Sequence, residues 1–157
     1  MKTAIFDRNG LIEAIRARYV LQWHGKHGWD HWMRVFETGR ILAAENGADV
    51  RVLELFSLLH DSCRESDRLD PEHGPRAVLF AEMLHGKFFC LEKKFLDTLL
   101  VAIRDHTRGY IHEDPTIQAC WDADRLDLPR VGFEPDPKYF GTMAAKRILK
   151  SRGEPGY

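Results

Sequence analysis

Six polar residues in this chain sit where a helical core would normally close. In "LFSLLHDSCRE" (55–65), Val52, Leu55, Phe56 and Leu59 recur at the spacing of a core-facing helix and run straight into His60-Asp61. A helix that simply ends would place Gly, Asn or Lys there. His31 lies four residues before Val35 and eleven before Leu42, and His73 lies four before Ala77 and eleven before Leu84. His106 follows Ile103 by three and Leu99 by seven, while Asp124 follows Cys120 by four and Ile117 by seven. Five apolar stripes therefore end in His31, His60-Asp61, His73, His106 and Asp124. Taken singly, such a His is ordinarily a satisfied core residue and such an Asp a cap. Taken together they predict a metal site, because buried imidazoles and carboxylates are costly unless paired or metal-bound. Bundle proteins build metal sites in this way, one ligand from each facing helix. Imidazole and carboxylate donors suit Mn, Fe, Co, Ni, Zn or Mg. His31, His60, Asp61 and Asp124 alone would leave positions open for water and substrate. A metal-bound water has its pKa lowered to about 7, which makes a nucleophile at neutral pH.

The elements that must carry these residues read as helices nearly throughout. Apolar periodicity predicts helices over Leu11 to Trp23, Asp30 to Glu45 with Asp30 as N-cap, and Val50 to His60. Further helices are predicted over Arg76 to Leu84, Glu92 to His106, Thr116 to Leu126 and about Tyr139 to Lys150, with a frayed polar tail. Gly47 suits a C-cap, Asp49 the next N-cap, and Asp114-Pro115 a helix start. "SDRLDPEHGP" (66–75) and "TRGYIHEDP" (107–115) read as loops, and "PRVGFEPDP" (129–137) has too many prolines for a strand. No stretch alternates with period two and no repeat occurs. The expectation is an all-α fold, a single compact bundle of about seven helices over 1–157.

Composition bounds the setting. At 157 residues the chain can bury a core without staples. A net charge of −1 gives no field that would draw it to a nucleic acid polymer or a membrane surface. No apolar run approaches the roughly 20 residues of a membrane span, and "MKTAIFDRNG" makes a poor signal peptide. Cys63, Cys90 and Cys120, an odd and widely spaced set, read as reduced thiols of a cytoplasmic protein.

The succession His31, His60-Asp61 and Asp124 within "DADRLD" resembles the His…His-Asp…Asp signature of the HD domain superfamily of metal-dependent phosphohydrolases. "HGWDHWMRV" (27–35), "LLHDSCR", "DPEHGPRA" and "DADRLDL" carry the likeness over about residues 24–130. The resemblance implies an all-helical fold, one or two divalent metal ions and hydrolysis of phosphate esters, often in nucleotides. His73 and His106 match positions that supply a second metal in binuclear members; they are either such ligands or phosphate contacts. Asp105-His106-Thr107 and the missing Pro after Gly109-Tyr110 separate this chain from the HD-GYP group.

Around the cluster, Asp61 and His106 are expected in catalysis, with Arg64 gripping substrate phosphate by a bidentate contact; the alternative for Arg64 is a surface pair with Glu65 or Asp67. Arg34 and Arg125 follow ligand residues, and Arg125 is expected to pair with Asp122 or Asp127. His27 is read as a solvent-facing cap in preference to a proton donor, with His24 beside it. Trp23, Trp29 and Trp32 are read as core packing in preference to nucleobase stacking. The leading function is hydrolysis of a small phosphorylated molecule by metal-activated water. The alternatives are a di-iron oxygenase of the same fold and a non-catalytic sensing module, which would ordinarily lack one of the ligands.

Overall fold

The computed structural model describes residues 5–153. Seven α-helices follow in order: α1 (Arg8–Arg18), α2 (Trp29–Asn46), α3 (Val50–Leu59), α4 (His73–Leu84), α5 (Lys93–Asp105), α6 (Pro115–Leu126) and α7 (Met143–Gly153). Two short 3-10 turns, Leu128–Val131 and Pro137–Tyr139, stand between α6 and α7. No strand forms among the described residues, so the all-α expectation holds. None of the described helices is long and apolar enough to cross a membrane.

The expected stripes make the core. Helix α3 lies at the centre, with Val52, Leu53, Leu55, Phe56, Leu58 and Leu59 all buried. It packs against α2, α5 and α6, while α2 also packs on α6 and α4 on α5. Trp32, Leu99, Ile103 and Trp121 complete a connected apolar cluster. Asp49 caps α3 by accepting from the amides of Arg51 and Val52, and Asp114 caps α6 through Thr116 and Ile117. Gly47 closes α2 in the left-handed conformation.

Several boundaries differ from the periodicity. Helix α1 stops at Arg18, because the chain turns to build a loop around the tryptophans. The Trp32 indole donates to the His27 carbonyl at 2.7 Å, and the Trp29 amide donates to the Trp23 carbonyl at 2.6 Å. Gly28, not Asp30, is the N-cap of α2; a Cβ there would lie 2.1 Å from the Trp23 carbonyl oxygen. Asp30 instead pairs with His24 at the surface. Helix α4 begins at His73, earlier than expected, since Pro75 is tolerated in a first turn where no amide partner is needed. Helix α7 begins only at Met143, because the Asp122 carboxylate accepts from the amides of Gly141 and Thr142 and holds that segment extended. The polar tail is helical through Gly153; residues 154–157 and the opening residues 1–4 lie outside the described ones. The thiols of Cys63, Cys90 and Cys120 are free, as expected.

One close approach matters to the site. A Cβ on Gly74 would stand 2.8 Å from the Arg104 carbonyl oxygen and 3.0 Å from that of Ile103. Glycine lets the start of α4 touch the end of α5, which brings His73 beside His106. Gly74→Ala is expected to push these ends apart at a cost of about 1–3 kcal/mol, the usual penalty for overpacking. Thermal denaturation followed by circular dichroism should give a midpoint several degrees lower, with helix content retained.

Candidate metal centre

Five helix ends deliver the six residues to one place. His31 stands in the first turn of α2, His60 is the C-cap of α3 with Asp61 following, and His73 opens α4. His106 is the C-cap of α5, and Asp124 lies in the last turn of α6. The side chains form two groups. In the first, His31 Nε2 is 3.1 Å from His60 Nε2 and 3.2 Å from Asp124 Oδ1, which is 3.5 Å from His60 Nε2. In the second, His73 Nε2 is 2.8 Å from His106 Nε2 and 3.1 Å from Asp61 Oδ1, which is 3.5 Å from His106 Nε2. Asp61 joins them: its Oδ2 faces the first group, 3.5 Å from both His31 and His60.

The donor set fits divalent metal. The Nδ1 atoms of His60, His73 and His106 each face a main-chain carbonyl, of Phe56 and Ser57, of Asp70, and of Ile103. A carbonyl only accepts, so Nδ1 carries the hydrogen, and in the neutral ring Nε2 presents a lone pair. The His31 Nδ1–H donates to Asp127 Oδ2 at 2.7 Å. Fixing the outer nitrogen in this way is how metal-ligating histidines are oriented. The inner nitrogens of His60, His73 and His106 then offer lone pairs, and those of His73 and His106 meet at 2.8 Å, an arrangement that calls for positive charge, a proton or a metal ion, between them. Asp61 Oδ2 is buried without a hydrogen-bond partner. Neighbouring ligand atoms around an ion at about 2.0–2.2 Å stand about 3.0–3.5 Å apart, which matches these spacings. His31, His60 and Asp124 could hold one ion, and Asp61, His73 and His106 another.

The charge field of the cluster supports the same conclusion. Burial favours neutral His31, yet the carboxylates of Asp124, Asp127 and Asp61 around it outweigh that and push its pKa up to about 10. Burial would raise Asp61, but the ring of imidazoles, His60 foremost, holds it well below the usual carboxylate range. Asp124 is held well below that range by His31 and His60 against the same burial cost. The carboxylates are thus charged at neutral pH, and the cluster retains a proton on His31 where a metal would supply positive charge.

Among the surrounding residues, Arg125 and His27 depart from expectation, and Arg64 and Arg34 take partners that the sequence left open. Arg64 pairs with neither Glu65 nor Asp67; its Nε donates to Asp61 Oδ1 at 3.2 Å and its Nη1 to the carbonyls of Ser66 and Arg68. Arg125 does not pair with Asp122 or Asp127 but donates to the carbonyls of Tyr110 and Tyr139. Arg34 is the partner of Asp127 at 2.9 Å, so it braces the carboxylate that orients His31. His27 is not a solvent-facing cap. It is 5% exposed, its Nε2 meets the Asp67 carbonyl, and its unpartnered Nδ1 lies 3.4 Å from Asp61 Oδ2. The tryptophans pack on one another as expected, Trp23 stacked on Trp29 with Trp32 edge-on to both.

Arg130 escaped sequence reasoning altogether. It sits in the proline-bearing 3-10 turn after α6, where no periodicity exists to place it. Its Nε donates to the Lys26 carbonyl at 2.8 Å and its Nη1 to the Asp127 carbonyl at 3.0 Å. That leaves Nη2 aimed at the centre, 4.0 Å from Asp61 Oδ2 and 3.9 Å from Asp124 Oδ1. Outside the cluster opens a cavity of about 720 Å³, whose wall includes Asp61, His106, Asp124, Arg64 and Arg130.

Fold and site together define an all-helical protein with a buried, two-compartment His/Asp centre able to hold divalent metal. The chain belongs to the HD domain family, whose profile matches residues 28–129. Its fold is similar to the crystal structure of a predicted HD superfamily hydrolase from an uncultured Thermotogales bacterium. The TM-score is 0.72 at 24% identity, covering 94% of this chain and 86% of the other, a likeness of fold. No curated protein matches the chain.

Because His31 holds a proton up to about pH 10 in the metal-free protein, an ion entering beside it must expel that proton. Metal binding at pH 7 should therefore release a proton, and affinity should climb with pH by up to about tenfold per unit below pH 10. Calorimetric metal titrations in buffers of different ionisation enthalpy measure the release directly; affinity flat between pH 6 and 8 would contradict it.

Proposed function

We propose that the protein is a metal-dependent phosphohydrolase that releases phosphate from a small organic phosphate, with nucleotides among the candidate substrates. The observation that carries this reading is the pair of His/Asp groups joined through Asp61 and opening into an arginine-walled cavity. The family's hydrolytic chemistry and the neighbour's description as a predicted hydrolase support the same class. His31, His60 and Asp124 would hold one ion, His73 and His106 a second, and Asp61 would face both. Bound metal supplies positive charge at the phosphate and an acidified water.

The chain's own residues do the rest. Arg64 and Arg130 flank Asp61, one beside each carboxylate oxygen, and each is anchored on main-chain carbonyls, Arg64 through Nη1 and Arg130 through Nε and Nη1. Anchored guanidiniums grip phosphate oxygens with little further ordering cost and stabilise charge that grows during transfer. Asp127, braced by Arg34, keeps the His31 ring in place. His27 Nδ1 is available to hydrogen-bond water or a substrate oxygen beside Asp61. Arginines in the wall favour phosphate chemistry over the oxygenase alternative, and oxygen consumption by an iron-loaded protein would reverse that preference.

Metal analysis of protein purified without chelator, followed by a phosphatase screen with the metal found, tests the reading. A ratio of about two ions per chain is expected for a two-metal site. His73→Ala or His106→Ala should lower it towards about one, and His60→Ala or Asp61→Ala should lose the tightly held ion. Full occupancy in all four variants would remove the centre, while circular dichroism should register folded helices throughout.

Arg64→Ala and Arg130→Ala should each keep the metal and lose about 30- to 1,000-fold in kcat/KM, the size of an oxyanion-type contact. Lysine at either position should restore only part, since it keeps the charge and loses the planar fork. An alanine variant within about threefold of the parent, far below that contact's worth, would take its arginine out of the mechanism.

A further inference from the structure

The cavity is too large for a phosphate ion alone, and its outer wall carries chemistry that the reaction at the metal centre leaves unused. Arg68 and Arg108 both line it. Most arginines of this chain satisfy their guanidinium within the fold. Arg8, Arg34, Arg51, Arg76, Arg104 and Arg147 each pair with a carboxylate. The side chains of Arg68 and Arg108 find no carboxylate, carbonyl or aromatic partner among the described residues, while the backbone on which they stand is held.

Both stand on short tethers to the centre. The Arg68 carbonyl accepts from Arg64, which also holds Asp61, and the neighbouring Asp67 carbonyl meets His27. The Arg68 amide donates to Ser66 Oγ at 3.0 Å, which fixes the loop from within. Arg108 follows His106 by two residues, and its amide donates to the Asp105 carbonyl. Gly109 then turns the chain at φ 75°, and a Cβ there would stand 3.2 Å from the Tyr139 ring, so the turn is seated against the same cavity wall. The same wall also carries apolar side chains: Leu69 and Phe133 are 89% and 66% exposed. Large apolar side chains so open to water at a cavity mouth are suited to covering the body of a ligand.

We propose that Arg68 and Arg108 form an anion subsite beside the metal centre, so that the preferred substrate is an organic phosphate carrying a second anionic group beyond an apolar spacer. This rests on the phosphohydrolase reading of the centre itself. Guanidiniums without a partner among the described residues keep their donors available for such a group, and Leu69 and Phe133 would contact the apolar spacer.

Binding can be measured without turnover by calorimetry, titrating the metal-loaded protein with methylphosphonate and with propane-1,3-bisphosphonate, each corrected against metal alone. The bisphosphonate is expected to bind at least about tenfold more tightly, as charge-assisted contacts in a partly exposed site would give. Arg68→Ala/Arg108→Ala should erase that advantage and leave methylphosphonate binding unchanged. A gain that survives in the double variant would assign the second phosphonate to the metal centre and overturn the subsite, as would no gain in the parent protein. Failure of methylphosphonate itself to bind would instead overturn the phosphohydrolase reading, and the subsite with it.

Discussion

The structure turns on one buried carboxylate. Asp61 is 2% exposed and stands between two pairs of imidazoles, with one oxygen turned to each. A charge in that position is tolerable only if positive charge meets it from several sides. Everything around it answers this demand: His31 and His60 on one flank, His73 and His106 on the other, Arg64 at one oxygen and Arg130 near the other. The imidazoles carry the same constraint inverted. Their Nδ1 atoms are committed to carbonyls or to Asp127, so their Nε2 atoms converge around Asp61 and share a need for positive charge, met by a proton on His31 or by a metal ion.

This arrangement explains why so many helices stop at one end of the bundle. Helix interiors use their carbonyls internally, but the last carbonyls of a helix lack intrahelical partners. His60 and His106, each a C-cap, turn back to take such carbonyls at Ser57 and Ile103, and the His60 ring also meets the Phe56 carbonyl that accepts its own amide. A helix end thus satisfies its own backbone and sets a ligand's tautomer with the same hydrogen bond. The Gly74 contact with the α5 carbonyls and the Gly28 turn beneath the tryptophans serve the same purpose: they let backbone approach closely enough for the Nε2 atoms to meet.

Charge is sorted by depth. The deep carboxylates face imidazoles, the arginines at the cavity's inner end are braced by main-chain carbonyls, and Arg68 and Arg108 in its wall have no side-chain partner among the described residues. Near-zero net charge concealed this sorting, since equal numbers of acids and bases can still be segregated in space. A near-neutral composition speaks against a long-range field, and it says nothing about a local one.

The sequence by itself determined the helices, their buried faces and the six residues that close them, because apolar spacing at period 3.6 names both a core and the polar positions in line with it. It also carried the family likeness through His31, His60-Asp61 and Asp124, since each sits in a short contiguous motif legible along the chain. Only the tertiary structure decided how the six divide, with Asp61 serving both groups, because that depends on which helix ends touch. Likewise only the fold buried His27, gave Asp127 to His31 and Arg34 instead of Arg125, and aimed Arg130 at the centre. Those residues lie in loops and 3-10 turns, where no period relates position to direction, and their partners are set by chain segments as much as about a hundred residues away, which local propensity cannot see.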